Sequence, residues 1–116
     1  MNYRDQLKTP QWKRLAAKLK DEADWKCEEC GREQSPRIEI QVHHTHYIQG
    51  LKAWEHPRCV LMVLCDECHV KRNEVEQLIY TAVADIMRRK TIKELKEQPI
   101  YAFFSEGFTI TKSERQ

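Results

Sequence analysis

Val42-His43-His44, read together with Cys65-Asp66-Glu67-Cys68-His69, decides how this chain folds. The first stretch closes an alternating run, Ile38-Glu39-Ile40-Gln41-Val42, whose period of two predicts a half-buried strand. Successive strand side chains point opposite ways, so such a strand delivers His43 and His44 to opposite faces. The second stretch closes a short apolar run, Cys59-Val60-Leu61-Met62-Val63-Leu64, which reads as another strand, buried on both faces. From Asp66, a helix N-cap by residue type, no glycine or proline interrupts the chain until Pro99. Val75, Leu78, Ile79, Ala82, Val83 and Ile86 recur at helical spacing, predicting a long helix to about Lys90 whose first turn carries Cys65-x-x-Cys68.

Upstream, Cys27-Glu28-Glu29-Cys30-Gly31 is a second Cys-x-x-Cys unit, and its glycine lets backbone amides turn toward thiolate sulfurs. Four thiolates in two such pairs make a tetrahedral structural zinc site of Cys27, Cys30, Cys65 and Cys68. The polar neighbours Glu28, Glu29, Asp66 and Glu67 argue against an apolar cysteine cluster. The fifth cysteine, Cys59, lies in the apolar run and is expected to be a small buried hydrophobe. An odd count, with no secretory leader in sight, does not suit a disulfide framework, so metal in a reducing compartment is expected.

Around this centre, Thr9-Pro10 followed by Trp12, Leu15, Ala16 and Leu19 predicts a capped amphipathic helix. Arg32 to Pro36 reads as a polar linker, and Thr45 to Arg58 as a long loop pinned by Trp54 and presenting a functional surface. Thr91-Ile92-Lys93-Glu94 is a capping-box pattern opening a short helix that stops before Pro99. Ile100-Tyr101-Ala102-Phe103-Phe104 is too apolar to be left exposed, and is expected to fold back over the core or to form a partner surface.

The 116 residues suit a single α+β domain. Residues 9–75 form its expected core, 76–110 a helical extension and 111–116 a flexible tail. Net charge is only +2, but the positive charge is concentrated: Lys13, Arg14 and Lys18 on the first helix, Lys71 and Arg72 after the second knuckle. These are candidate phosphate contacts, while Arg88, Arg89 and Lys90 also suit the end of a helix. No apolar run reaches the length of a membrane span, and a cytoplasmic protein, bacterial or phage-like, is expected.

His43, His44 and His69 form the second constellation. His69 follows the last knuckle cysteine, so the structural metal itself holds it at the start of the helix. One of the adjacent histidines can join His69 on a second divalent ion while the other meets a water. The alternatives are surface or core histidines, or one imidazole replacing a cysteine on zinc.

Trp12 in a capped basic helix, Cys27-Glu28-Glu29-Cys30-Gly31, Val42-His43-His44 and Leu64 to His69 together resemble the HNH endonucleases, specifically the zinc-ribbon branch of the ββα-metal nucleases. The resemblance covers roughly residues 9–75. It implies a small ββα-metal core, here with an N-terminal helix and a long C-terminal helical extension. It further implies that His43 and His69 hold a catalytic ion and that His44 is the general base. Asn73 stands where many members carry a further histidine, and its amide oxygen can serve a hard cation. The catalytic ion would be Mg²⁺ or Mn²⁺, though imidazoles also accept Zn²⁺ or Ni²⁺.

The family's asparagine, which fastens the loop before the second strand, falls in Arg58-Cys59-Val60, and none of these is asparagine. Either His56 or another loop residue performs that task, or packing of Trp54 holds the loop. The activity implied is hydrolysis of DNA phosphodiester bonds, duplex or branched, one strand nicked per site, leaving 5′ phosphate and 3′ hydroxyl. Lys13, Arg14, Lys18, Lys71, Arg72 and His46 would contact nucleic acid, and residues 100–104 offer a homodimer interface. The alternative is a catalytically weakened or inactive zinc-ribbon module that binds nucleic acid or a protein partner.

Overall fold

Helix and strand are both present in the computed structural model, which describes residues 1–107. The order is α1 (Tyr3–Gln6), α2 (Pro10–Glu22), β1 (Ile40–His44), β2 (Leu61–Cys65), α3 (Asp66–Arg88), α4 (Ile92–Lys96) and α5 (Pro99–Gly107). Strands β1 and β2 pair antiparallel, with Ile40 opposite Cys65, Val42 opposite Val63, and His44 opposite Leu61. This is an α+β arrangement. The tail expected at 111–116, and the last residues of the expected extension, lie outside the described residues.

Helix α2 forms as its sequence requires. Thr9 is extended and its hydroxyl accepts the Trp12 N–H at 3.2 Å, while Pro10 needs no donor in the first turn. Trp12, Ala16 and Leu19 recur on one face and are buried against the sheet. The main core gathers Leu19, Ile40, Leu61, Val63 and Leu64 around three of the knuckle cysteines, so the cysteine-bearing loops belong to the core and are not appended to it. A smaller cluster of Trp12, Ala16 and Ala53 lies beside it.

The strand boundaries differ from the expectation. Ser35 and Ile38 bond reciprocally through their backbones, at 3.0 and 3.2 Å, so Ile38 is spent in a turn and β1 begins two residues later. Both histidines therefore sit inside the strand, His43 opposite Met62 and His44 opposite Leu61. At the other strand, a 3-10 turn over Arg58–Val60 follows Pro57 and delays β2 to Leu61. Cys59 consequently lies on that turn and is exposed, which corrects the expectation of a buried hydrophobe.

Two smaller corrections concern caps and anchors. The N-cap of α3 is Cys65, whose sulfur accepts the Cys68 N–H at 3.4 Å; Asp66 is the first helical residue. The loop between the strands is anchored less by Trp54, which is half-buried, than by Ala53, Glu55 and His56, which are buried. Helix α1, which the polar N-terminus did not announce, reaches this loop: the Gln6 side-chain oxygen accepts the Ala53 N–H at 2.7 Å.

Thr91 caps α4 as expected, accepting the Glu94 N–H at 3.1 Å. Pro99 then opens α5 as well as ending the segment before it. Ile100 and Phe103 are each 67% exposed, so this segment does not fold back over the core. Among the described residues, no helix is long and apolar enough to cross a membrane.

Candidate functional site

Two constellations stand side by side at the start of α3. In the first, the sulfur atoms of Cys27, Cys30, Cys65 and Cys68 all lie within 4.8 Å of one another, a donor set that could hold a metal ion such as zinc. The local chain is built for anionic sulfur: Glu29 N–H and Cys30 N–H point at Cys27 Sγ at 3.4 and 3.5 Å. Gly31, at φ 81°, supplies the left-handed turn that closes this knuckle. Burial opposes ionisation of the Cys27 thiol, but these amides outweigh it and bring its pKa down to about 6. Burial pushes the Cys68 thiol up to about 12. A cation among them would allow all four to ionise together.

The second constellation divides between the two faces of β1, as alternation requires. His43 turns toward α3, where its ring lies 4.8 Å from that of His69, nearly edge-on. His43 Nε2 meets Glu76 Oε1 at 2.7 Å. A carboxylate oxygen accepts, so His43 directs an Nε2–H at Glu76. His69 Nδ1 meets the Gln41 side-chain oxygen at 2.5 Å, leaving Nε2 as the bare nitrogen. Burial, then the neighbouring His43, lowers the His69 pKa, which favours the neutral, ligand-competent ring.

His44 faces the other way. Its ring stacks on Trp12 at 5.0 Å and on Tyr47 at 4.8 Å, with interplanar angles of 23° and 20°. Nε2 donates to the Ala53 carbonyl at 2.9 Å, and the residue is 3% exposed. Nδ1 is buried without a hydrogen-bond partner, which is costly for a polar atom. Burial lowers its pKa from 6.5 to about 4, partly offset by the Ala53 carbonyl.

On the His44 side lies a cavity of about 260 Å³ lined by His44, His46, Asn73, Glu76 and Tyr80, whereas His69 lines a separate groove with Trp12 and Gln41. Asn73 thus shares a cavity with His44. Tyr80 braces its wall, donating its hydroxyl to the Thr45 carbonyl. His56 holds the loop above: its Nδ1 donates to Lys52 O and its Nε2 accepts the Ile48 N–H, both at 2.9 Å. His56 thus fastens the loop backbone, and the same loop carries the Ala53 carbonyl that orients His44.

Of the expected phosphate contacts, Lys13, Arg14, Lys18, Lys71 and His46 are exposed. Arg72 is used internally. Its guanidinium bonds Glu76 Oε2 at 2.9 Å and Glu29 Oε1 at 2.8 Å. Glu29 lies between Cys27 and Cys30, so a chain of charged bonds runs from the first knuckle through Arg72 and Glu76 to His43. Sequence reading missed Glu76, although it lies seven residues after His69 and hence on the same helix face. No protein-family model, no curated protein and no solved structure matches this chain.

Proposed function

We propose that this chain is a metal-dependent endonuclease of the HNH, ββα-metal type that hydrolyses phosphodiester bonds of DNA, nicking one strand per site. The observation that carries this reading is His44: a neutral imidazole clamped between Trp12 and Tyr47, oriented by one carbonyl, with Nδ1 buried and without a partner, on the strand face opposite the His43–His69 pair.

The residues present fit a divalent ion beside these groups. His43 Nδ1 and His69 Nε2 are the ring nitrogens left over by Glu76 and Gln41 on two adjacent rings, while Asn73 lines the cavity on the His44 side. Bound there, Mg²⁺ or Mn²⁺, or a softer Zn²⁺ or Ni²⁺, would supply Lewis acidity to the phosphate oxygens. The four-cysteine site, with zinc, serves the scaffold.

In this reading, His44 Nδ1 takes a proton from water as the oxygen forms its bond to phosphorus and the bond to the 3′ oxygen breaks, that oxygen taking its proton from solvent. The imidazolium so formed keeps its Nε2–H directed at the Ala53 carbonyl, which stabilises the cation. An anionic phosphodiester close by raises the His44 pKa back toward neutrality, where a base is most effective. Lys13, Arg14, Lys18, Lys71 and His46 provide exposed contacts to the nucleic acid, giving salt-dependent binding.

Incubation of supercoiled plasmid with the zinc-loaded protein and Mn²⁺ tests the proposal. Nicking by the wild type that disappears in His44→Ala, with zinc content and fold retained, is the expected result; equal nicking by both removes His44 as the base. A second reading, a binding module without cleavage, draws on the Tyr47 ring that covers His44. It predicts salt-dependent DNA affinity with no nicking in any divalent metal. The exposed Ile100 to Phe104 face of α5 suits a partner in either reading.

A further inference from the structure

The apolar repeat along α3 is not used up by the fold. Val75, Ile79 and Ile86 are 54, 54 and 53% exposed, and Leu78 is 74% exposed. Val75, Ile79, Ala82 and Ile86 follow one another at steps of four, three and four residues, the two-in-seven seam of a packed helix pair. A groove of about 340 Å³ opens at the start of this seam, lined by Glu29, Lys71, Arg72, Val75, Glu76 and Ile79.

We infer that this face is covered by α3 of a second copy of the chain, the two helices running antiparallel about an axis between Ile79 and Ala82. Charge and shape both favour that occupant. Lys71, Leu78 and Asp85 flank one side of the seam, and Glu76, Val83 and Lys90 the other. Antiparallel pairing sets Lys71 against Asp85 of the second copy, twice by symmetry, while Glu76 stays engaged with His43 and Arg72 of its own chain. Leu78 and Val83 each meet their own equivalents at the centre.

In a parallel pair, by contrast, the basic ends Arg88-Arg89-Lys90 lie against each other, and the two first knuckles, whose Glu29 walls the groove, stand side by side. Antiparallel helices keep the two basic ends apart. Asp85 pairs within its own chain with Arg88 and Arg89, but those exposed ion pairs are weak competitors. The exposed seam residues, counted on both copies, bury on the order of 1,000 Å², the threshold for a specific interface. This pairing stands independently of the chemistry proposed above.

Light scattering on the full zinc-loaded chain at micromolar concentrations is the test. A mass of twice the chain is expected, falling to a single chain in Ile79→Asp with zinc content unchanged. Lys71→Asp and Asp85→Lys should each weaken the dimer several-fold, and the double variant should recover it, because the reversed pair is again opposite in sign. A monomer at every concentration overturns the proposal. So does a dimer that survives Ile79→Asp but is lost in Phe103→Asp, which places the interface on α5. A double variant no tighter than the single ones overturns the antiparallel arrangement.

Discussion

Replacing His56 by alanine should destabilise the domain by about 3 kcal/mol. The ring is 1% exposed and joins Lys52 O to the Ile48 N–H across the loop between the strands. Two neutral hydrogen bonds contribute roughly 1 kcal/mol each, and water recovers part of that at the half-buried Lys52 and Ile48. Truncation also removes the ring packed edge-on against His44 at 4.9 Å. Large-to-small core changes cost roughly 2–5 kcal/mol, and this loop, free to settle, falls at the lower end. Together these give about 3 kcal/mol, a large share of the roughly 5–15 kcal/mol that holds a domain. Urea unfolding at saturating zinc, with an unchanged slope, measures it. His56→Asn, shorter but still one donor and one acceptor, should recover about 1 kcal/mol. If His56→Ala lies within about 0.5 kcal/mol of the wild type, or asparagine does no better than alanine, His56 does not fasten the loop.

Cys27→Ser should cost the fold itself, because its sulfur is one of the four donors within 4.8 Å; circular dichroism with zinc content by atomic emission reads this out, and a folded, fully metallated variant contradicts the zinc assignment. Stability should also fall with acid through His44. Its folded pKa of about 4 lies below the ordinary 6.5, so the unfolded chain takes up a proton that the folded chain refuses. The contribution is complete above about pH 6.5 and is lost toward about pH 4, amounting to about 3 kcal/mol. His44→Gln should remove that part of the pH dependence, and identical acid profiles for the two proteins would contradict the burial of a neutral ring. Glu76→Gln should leave the zinc and the fold intact but lower divalent-ion affinity and plasmid nicking about 10- to 100-fold, since it loosens the orientation of His43. Calorimetric titration with Mn²⁺ distinguishes this from a purely structural role.

What could be read from the sequence lay within one or two turns of chain. Thr9 capping Trp12, the Cys-x-x-Cys-Gly turn and Thr91 capping Glu94 are contacts over three or four residues, set by residue type and spacing alone. The alternation ending at His43 and His44 likewise decided that they face opposite ways. Near neighbours also misled: Pro57 and the Ser35–Ile38 turn shifted both strands and brought Cys59 to the surface, because a local turn outweighs a strand preference where the two compete.

The sequence by itself determined the four-cysteine donor set, the helix α2 and the histidine-bearing strand, because each is encoded in short-range spacing. Only the tertiary structure decided the state of those histidines. His43 meets Glu76 across 33 residues, Arg72 meets Glu29 across 43, and Ala53 fixes the proton on His44 from a separate loop. Such bonds depend on how the loop and α3 settle against the sheet, which no periodicity records. The exposed seam of α3 shows the same division: its apolar repeat is plain in the sequence, but that the fold leaves it uncovered emerges only when the core has formed without it.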